Sequence, residues 1–236
     1  MNRRAAVFDV DRTLLDGMSG YLFSAYLIRR REMPWRRVLH SVRALAAYRF
    51  HLATQDAIVE AGATCLAGLN VATATRLADE AVAAVIAPRL FREALAAVER
   101  HRTAGDWVLL ASGSNAILIA AIARYVGAHA AVGTDCRRDN GRLLPQMAQP
   151  PCVEEGKRTL VLARLAAEGI TPENAICYTD NGIDIPLVRE VGAAVAVNPD
   201  RHLAAYAREH GLPIEHWREP VDPRRTRSGT SWPLKV

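Results

Sequence analysis

The chain has 236 residues, enough for one sizeable domain or for a domain carrying an inserted lid, and too few for two independent domains of ordinary size. Half of the residues are hydrophobic and 23% are charged, which excludes a disordered or fibrous chain and predicts a packed core. The net charge of +5 is local: residues 29–37 hold five arginines against Glu32, and residues 218–236 hold five basic against two acidic residues, so no nucleic-acid groove through the fold is indicated.

Ala5 to Val10 is a short apolar run that meets the polar cluster Asp9, Asp11, Arg12 and Thr13, the pattern of a buried strand ending in a functional loop. From Asp16 to about Pro88 no convincing strand appears. Tyr21, Leu22, Ala25, Leu27 and Ile28 recur at helical spacing, as do Val38, Leu39, Val42, Leu45 and Ala46. Pro34 suits the first turn of a second helix, Thr54 can cap a third, and Thr73 or Thr75 begins a fourth after a turn at Gly68 to Asn70. Beyond Pro88 the pattern alternates: helix 90–101, strand 107–111, helix 115–126 and strand 130–134. A small rim hairpin follows, 136–138 and 142–144 about Asp139, Asn140 and Gly141. Then come helix 153–168, strand 175–178, helix 185–191, strand 193–197 and helix 200–210. Such alternation predicts a parallel sheet.

The expected organisation is an α/β, Rossmann-like parallel-sheet core over residues 1–15 and 89–217, a helical cap over 16–88, and a flexible basic tail over 218–236. An insertion after the first strand sits over the carboxyl ends of the strands, where open α/β sheets bind ligands, and so is placed to act as a lid. Cys65, Cys136, Cys152 and Cys177 form no CxxC pair, which predicts a reduced, cytoplasmic setting. Export is not expected, because the apolar run behind Met1 to Arg4 lasts only from Ala5 to Phe8. No stretch approaches the ~18 apolar residues of a membrane span.

Four clusters at proposed strand ends carry the chemistry. Asp9 and Asp11 lie two apart, where both side chains can point the same way, and such a pair repels itself unless a cation holds it. A single loop aspartate would read as a backbone cap, but the pair in FDVDRTLL reads as a site. Ser112, Gly113, Ser114 and Asn115 follow the second strand and offer a hydroxyl and backbone N–H groups to a phosphate, although alone they equally make an ordinary helix cap. Thr179 and Asp180, with Asp184 four residues on, are either a second acidic pair or a helix-start acid and a solvated one. Lys157 is the only lysine outside the tail, against 28 arginines, which points to a need for a compact ammonium between anions rather than a generic surface charge.

FDVDRTLL, LLASGSN, the Lys157 helix and CYTDNGID together resemble, in order and spacing, the four motifs of the haloacid dehalogenase superfamily of phosphohydrolases. The branch most similar is the phosphoserine-phosphatase-like one, whose helical-bundle cap of the C1 type follows the first motif, and the resemblance extends over residues 5–215. It implies that Asp9 attacks phosphorus to form an aspartyl-phosphate and that Asp11 protonates the leaving alcohol and then activates water. Ser112, the backbone at Gly113, and Lys157 would hold phosphate oxygens. Mg²⁺ would be held by the Asp9 carboxylate, the Asp11 carbonyl and Asp180, with Asp184 acting through water or orienting the site.

The departures concern the substrate. Arg12 stands where many relatives have Ser or Gly, and either reaches the phosphate entrance or points to solvent. Ile183 replaces a polar residue, with Asn181 able to compensate. Met18 takes about the place of the cap glutamate of phosphoserine-specific members, and Ala53 to Leu69 contains no arginine, so phosphoserine is not the expected substrate. Met18 and Tyr21 are the cap candidates for substrate contact.

The expected activity is a soluble Mg²⁺-dependent phosphomonoesterase acting on a small organic phosphate, with no nucleic-acid partner. An alternative is a lipid-phosphate phosphatase of the phosphatidylglycerophosphate kind, in which Tyr21 to Leu27 and the arginines at 29–31, 36 and 37 meet an anionic surface; a cap helix with a solvated basic end explains the same residues. An alternative of another class is a non-catalytic phosphate-binding protein, against which the intact acid set counts.

Overall fold

Apolar runs too short for helices pair into one sheet. The computed structural model describes residues 3–32 and 64–222, so the helix starts expected at Pro34 and Thr54, and residues 223–236, lie outside the described residues. The main strands are β1 (Ala5–Asp9), β2 (Trp107–Asn115), β3 (Ala130–Thr134), β6 (Ala175–Thr179), β7 (Ala193–Val197) and the two-residue β8 (Ile214–Glu215). They form a parallel sheet in the order β3-β2-β1-β6-β7-β8. β4 (Cys136–Asp139) and β5 (Arg142–Met147) form the separate antiparallel hairpin.

β1 lies at the centre and is buried along its whole length, which is why its sequence runs apolar without alternating. Its residues nevertheless divide between the two faces. Ala6 and Phe8 join the core built with α3 (Arg92–Thr103) and α4 (Ala116–Val126), while Ala5 and Val7 join the core built with α5 (Glu154–Ala167). Each side chain such as Val7 or Phe8 taken from water stabilises the sandwich by about 2 kcal/mol. Short helices α6 (Ile185–Val188) and α7 (Arg201–Glu209) complete the α/β core, with Asp200 capping α7 through Leu203 N–H at 2.7 Å.

The described parts of the inserted segment are mainly helical, joined by turns at 30–31 and 67–69. α1 (Ser19–Arg29) buries Phe23 and Leu27, and α2 (Val71–Ala81) runs on through a wide π-type turn at Val82–Ile86 and a 3₁₀ turn at Ala87–Arg89. The chain leaves and re-enters the core side by side: Asp16 N–H donates to Arg89 O at 2.9 Å and Phe91 N–H to Leu14 O at 2.9 Å. The hairpin braces the insertion from the other side, with Gly68 N–H on Leu143 O at 2.6 Å and Val71 N–H on Gly141 O at 2.9 Å.

Several boundaries differ from expectation. α2 starts at Val71 rather than at Thr73 or Thr75, because Asn70 Oδ1 accepts from Ala72 N–H at 2.8 Å and so caps the helix. β2 continues through Ser112, Gly113 and Ser114, and the following helix starts at Ala116 with Asn115 as its cap, so the serines sit on an irregular strand end rather than at a helix start. Residues 218–222 are held rather than loose: Arg218 N–H donates to Glu93 Oε1 at 2.8 Å, Arg92 N–H to Glu219 O at 2.7 Å and Val221 N–H to Leu90 O at 2.9 Å. No helix among the described residues is long and apolar enough to cross a membrane.

Candidate active site

Parallel pairing brings the polar ends of three neighbouring strands into line. Asp9 closes β1 opposite Ala111, one residue before Ser112, and Phe8 pairs with Tyr178, which puts Thr179 and Asp180 beside Asp9 on the other flank. Lys157 enters from the first turn of α5, where Gly156 lies so close to the Pro151 carbonyl that a Cβ could not fit. The loop after β1 is drawn tight by Leu14 and Leu15 N–H on Val10 O, at 3.0 and 3.1 Å.

Lys157 is the hub. Its Nζ donates to Asp9 Oδ1 at 2.7 Å and to Asp184 Oδ2 at 2.6 Å, and all three side chains are buried. Thr179 Oγ1 also donates to Asp184 Oδ2, at 2.6 Å. Burial alone would push the Lys157 ammonium down; Asp184 and Asp9 more than reverse this and hold it well above the ordinary lysine value. Burial pushes the Asp9 carboxyl up to about 7 against the pull of Lys157, with Asp184 and Asp11 adding to the rise. Asp180, buried and close to Asp9, is pushed up to about 8 by burial and by Asp9.

Asp11 is held apart from this cluster. Its Oδ1 accepts from the Ser19 backbone N–H, at the first turn of α1, and its Oδ2 accepts from Ser112 Oγ at 3.2 Å and Ser114 Oγ at 3.1 Å. The carbonyl of Gly113 is anchored by Thr134 Oγ1 at 2.8 Å. Arg12 adopts a left-handed φ of 66°, a conformation that costs a non-glycine residue about 1 kcal/mol, and its Nε stands 4.0 Å from Asp180 Oδ2. Its side chain is 58% exposed, so it sits at the mouth of the site. Asn181 caps the short turn at Gly182–Asp184, its Oδ1 accepting from Ile183 N–H at 3.0 Å. Met18 and Tyr21 are 53% and 48% exposed on the first turn of α1, next to Ser19.

The structure therefore brings Asp9, Lys157, Asp180 and Asp184 together, sets Asp11, Ser112 and the Gly113 backbone alongside, and leaves Met18 and Tyr21 at the rim. Sequence reasoning passed over Ser19, and it named Ser114 and Thr179 only as neighbours of Ser112 and Asp180, with no role of their own. Ser19 and Thr179 are fully or almost fully buried hydroxyls, a signal that appears only once burial is known.

The donor set fits a divalent metal ion. Asp9, Asp180 and Asp184 place three carboxylates in a buried site that holds one buried cation, Lys157, and this imbalance is what a dication neutralises. Asp184 Oδ1 is also the one buried side-chain polar atom, among the described residues, without a hydrogen-bond partner. Among the described residues no three His, Cys, Asp or Glu side chains converge on a common point.

A family model described as haloacid dehalogenase-like hydrolase matches residues 6–189. The chain belongs to that family. Curated relatives align over about nine-tenths of it. A protein named phosphoserine phosphatase from Mycobacterium tuberculosis is 31% identical over 218 residues, 91% of this chain and 71% of that one. One named histidinol-phosphatase from Neisseria meningitidis is 28% identical over 228 residues, 90% of this chain and 98% of its own length. A crystal structure of a protein of unknown function from Bordetella pertussis Tohama I superposes with a TM-score of 0.81 at 28% identity, covering 91% of this chain and 99% of that one. The chain is accordingly an enzyme, a phosphatase built on the Rossmann-like fold of this hydrolase family.

Proposed function

We propose that the protein is a Mg²⁺-dependent phosphomonoesterase for a small organic phosphate, working through an aspartyl-phosphate on Asp9. The observation that carries this reading is Lys157 bridging Asp9 and Asp184 at the strand ends, with Asp11 turned toward Ser112. An Asp9 oxygen attacks phosphorus as the ester P–O bond breaks, and Asp11 gives its proton to the departing alkoxide. Asp11 then takes a proton from the water that displaces phosphate from Asp9. Ser112, the Gly113 backbone and Lys157 hold the transferring phosphoryl oxygens. Asp9, the Asp11 carbonyl and Asp180 would hold Mg²⁺, with Asp184 orienting them; the ion supplies positive charge that offsets repulsion between carboxylate and phosphate.

Residues 16–88 serve as the cap over a core of 1–15 and 89–217. Relatives at similar distance carry names for two different small phosphates, so the shared chemistry belongs to the core and the choice of ester to the cap. Met18, where phosphoserine-specific members carry a glutamate, puts a thioether in place of the carboxylate that would pair with an ammonium, which disfavours phosphoserine. The buried face of α1 is committed to the core through Phe23 and Leu27, which supports a small-molecule rather than a lipid-surface substrate. The four cysteines are buried thiols outside any disulfide, which suits a reduced cytoplasmic setting.

The test is hydrolysis of p-nitrophenyl phosphate with Mg²⁺ and with EDTA, paired with thermal unfolding at pH 6 and pH 8. The folded, metal-free protein keeps protons on Asp9 and Asp180 up to about 7 and about 8, whereas the unfolded chain releases them near 3.8. Stability of the metal-free form should therefore fall as pH rises through that window, as the site is forced to charge. Mg²⁺ should restore it, with a larger rise in Tm at pH 8 than at pH 6, and activity should vanish in EDTA. Equal activity in EDTA defeats the proposal.

A second expectation concerns the cap. Met18→Ala and Tyr21→Ala should change ratios of kcat/KM across a panel of metabolite phosphates more than they change turnover of acetyl phosphate, which is too small to reach them. Uniform losses across the panel count against a specificity role.

A further inference from the structure

We infer that Ser114, backed by the Ser19 hydroxyl, is a positioning residue for Asp11, an inference that rests on the reading of Asp11 as acid and base. Asp11 Oδ1 is occupied by the Ser19 backbone N–H, so Oδ2 is the oxygen that faces the reacting centre, and two hydroxyls, Ser112 and Ser114, compete for it. They are not equivalent. A serine hydroxyl has one proton, and once Ser112 donates that proton to a phosphoryl oxygen it has none for Asp11. Ser114 then remains as the side-chain donor on Oδ2.

Ser114 is itself oriented. Ser19 Oγ donates to Ser114 Oγ at 2.9 Å, which fills an acceptor position on that oxygen and turns its proton toward Asp11. Ser114 N–H donates to Ser112 Oγ at 3.1 Å, which ties the two serines in fixed relation. The first turn of α1 is pressed onto this group, for a Cβ on Gly20 would lie 3.1 Å from Ser114 Oγ. The Ser19 side chain is fully buried, so water does not replace these contacts.

The experiment compares kcat/KM for phenyl phosphate and p-nitrophenyl phosphate in Mg²⁺ buffer, using wild type, Ser114→Ala, Ser19→Ala, the double variant and Asp11→Asn. The nitro group disperses the leaving charge, so p-nitrophenolate departs with little help, whereas phenolate needs the proton more. A displaced acid is expected to lower the phenyl phosphate value about tenfold more than the p-nitrophenyl phosphate value in Ser114→Ala. Ser19→Ala, which keeps its backbone N–H, should show a smaller loss with the same preference. The double variant should be within about twofold of Ser114→Ala, because the two hydroxyls act in series. Equal losses on both esters, or additive losses in the double variant, overturn the inference. Asp11→Asn separates the two readings: if it lowers both esters equally, Asp11 is not the acid and both fall, while discrimination in Asp11→Asn without discrimination in Ser114→Ala removes only the positioning role. Circular dichroism checks folding, and Ser19→Ala decides the matter should Ser114→Ala fail to fold.

Discussion

Asp9→Asn should abolish turnover while leaving the fold intact. The amide matches the carboxylate in shape, keeps an oxygen for Lys157 at the 2.7 Å contact, and is neither a nucleophile nor an anionic ligand. Loss below about a hundredth of the wild-type rate corresponds to at least ~2.7 kcal/mol of transition-state stabilisation. The fold should not suffer, because the substitution removes one of three buried carboxylates that a single buried ammonium serves. The metal-free variant should therefore unfold at or slightly above the wild-type Tm at pH 8, where the native site carries the most uncompensated charge. Its response to Mg²⁺ should be reduced, since one anionic ligand is gone. Steady-state kinetics and melting with and without Mg²⁺ check both halves. Retention of more than about a hundredth of the rate would assign the nucleophile elsewhere.

How much of this was legible in the sequence follows from which interactions are local. β3 and β7 run as expected, Ala130–Thr134 and Ala193–Val197, because a strand wholly or partly buried in a parallel sheet reads as a short apolar run. Asp9 and Asp180 stood out for the same reason, as the polar ends of such runs, and Lys157 stood out as the only lysine outside the tail. β2 was cut short because Ser112 to Ser114 look like a cap, and only pairing with β3 and the Thr134 bond to Gly113 O reveal that the strand continues. Asn70 was read as part of a turn when it caps α2, a distinction that depends on a backbone angle. The ordering of 218–222 rests on bonds to residues 88–93, more than 120 positions away, which no local pattern records. Ser19 escaped altogether, and Ser114 and Thr179 were named without a partner, for a common reason. A hydroxyl is an unremarkable cap, turn or surface residue until the fold buries it against a carboxylate.

Lys157 should prove intolerant even of arginine. Its ammonium is buried and touches Asp9 and Asp184 at 2.7 and 2.6 Å, a spacing set by a single nitrogen atom. A guanidinium is planar, wider and presents its donors in a fork, so it cannot meet two carboxylates that converge on one point without moving α5 or the loop of Asp184. Neighbouring structure resists that movement: Gly156 is already in contact with the Pro151 carbonyl, and Thr179 holds the same Asp184 oxygen at 2.6 Å. Lys157→Arg should therefore lose at least about a hundredfold in kcat/KM, nearly as much as Lys157→Ala, because a misplaced charge of about 1 Å costs on that order. The two variants should part in stability rather than in rate. Lys157→Ala leaves buried carboxylates without their cation, a change worth about 3–5 kcal/mol, while Lys157→Arg retains the charge and should melt closer to wild type. Phosphatase kinetics on both, with unfolding followed by circular dichroism, separate these effects. An arginine variant within about tenfold of wild type would mean that Lys157 supplies only positive potential, and that the contacts with Asp9 and Asp184 do not place the phosphoryl group.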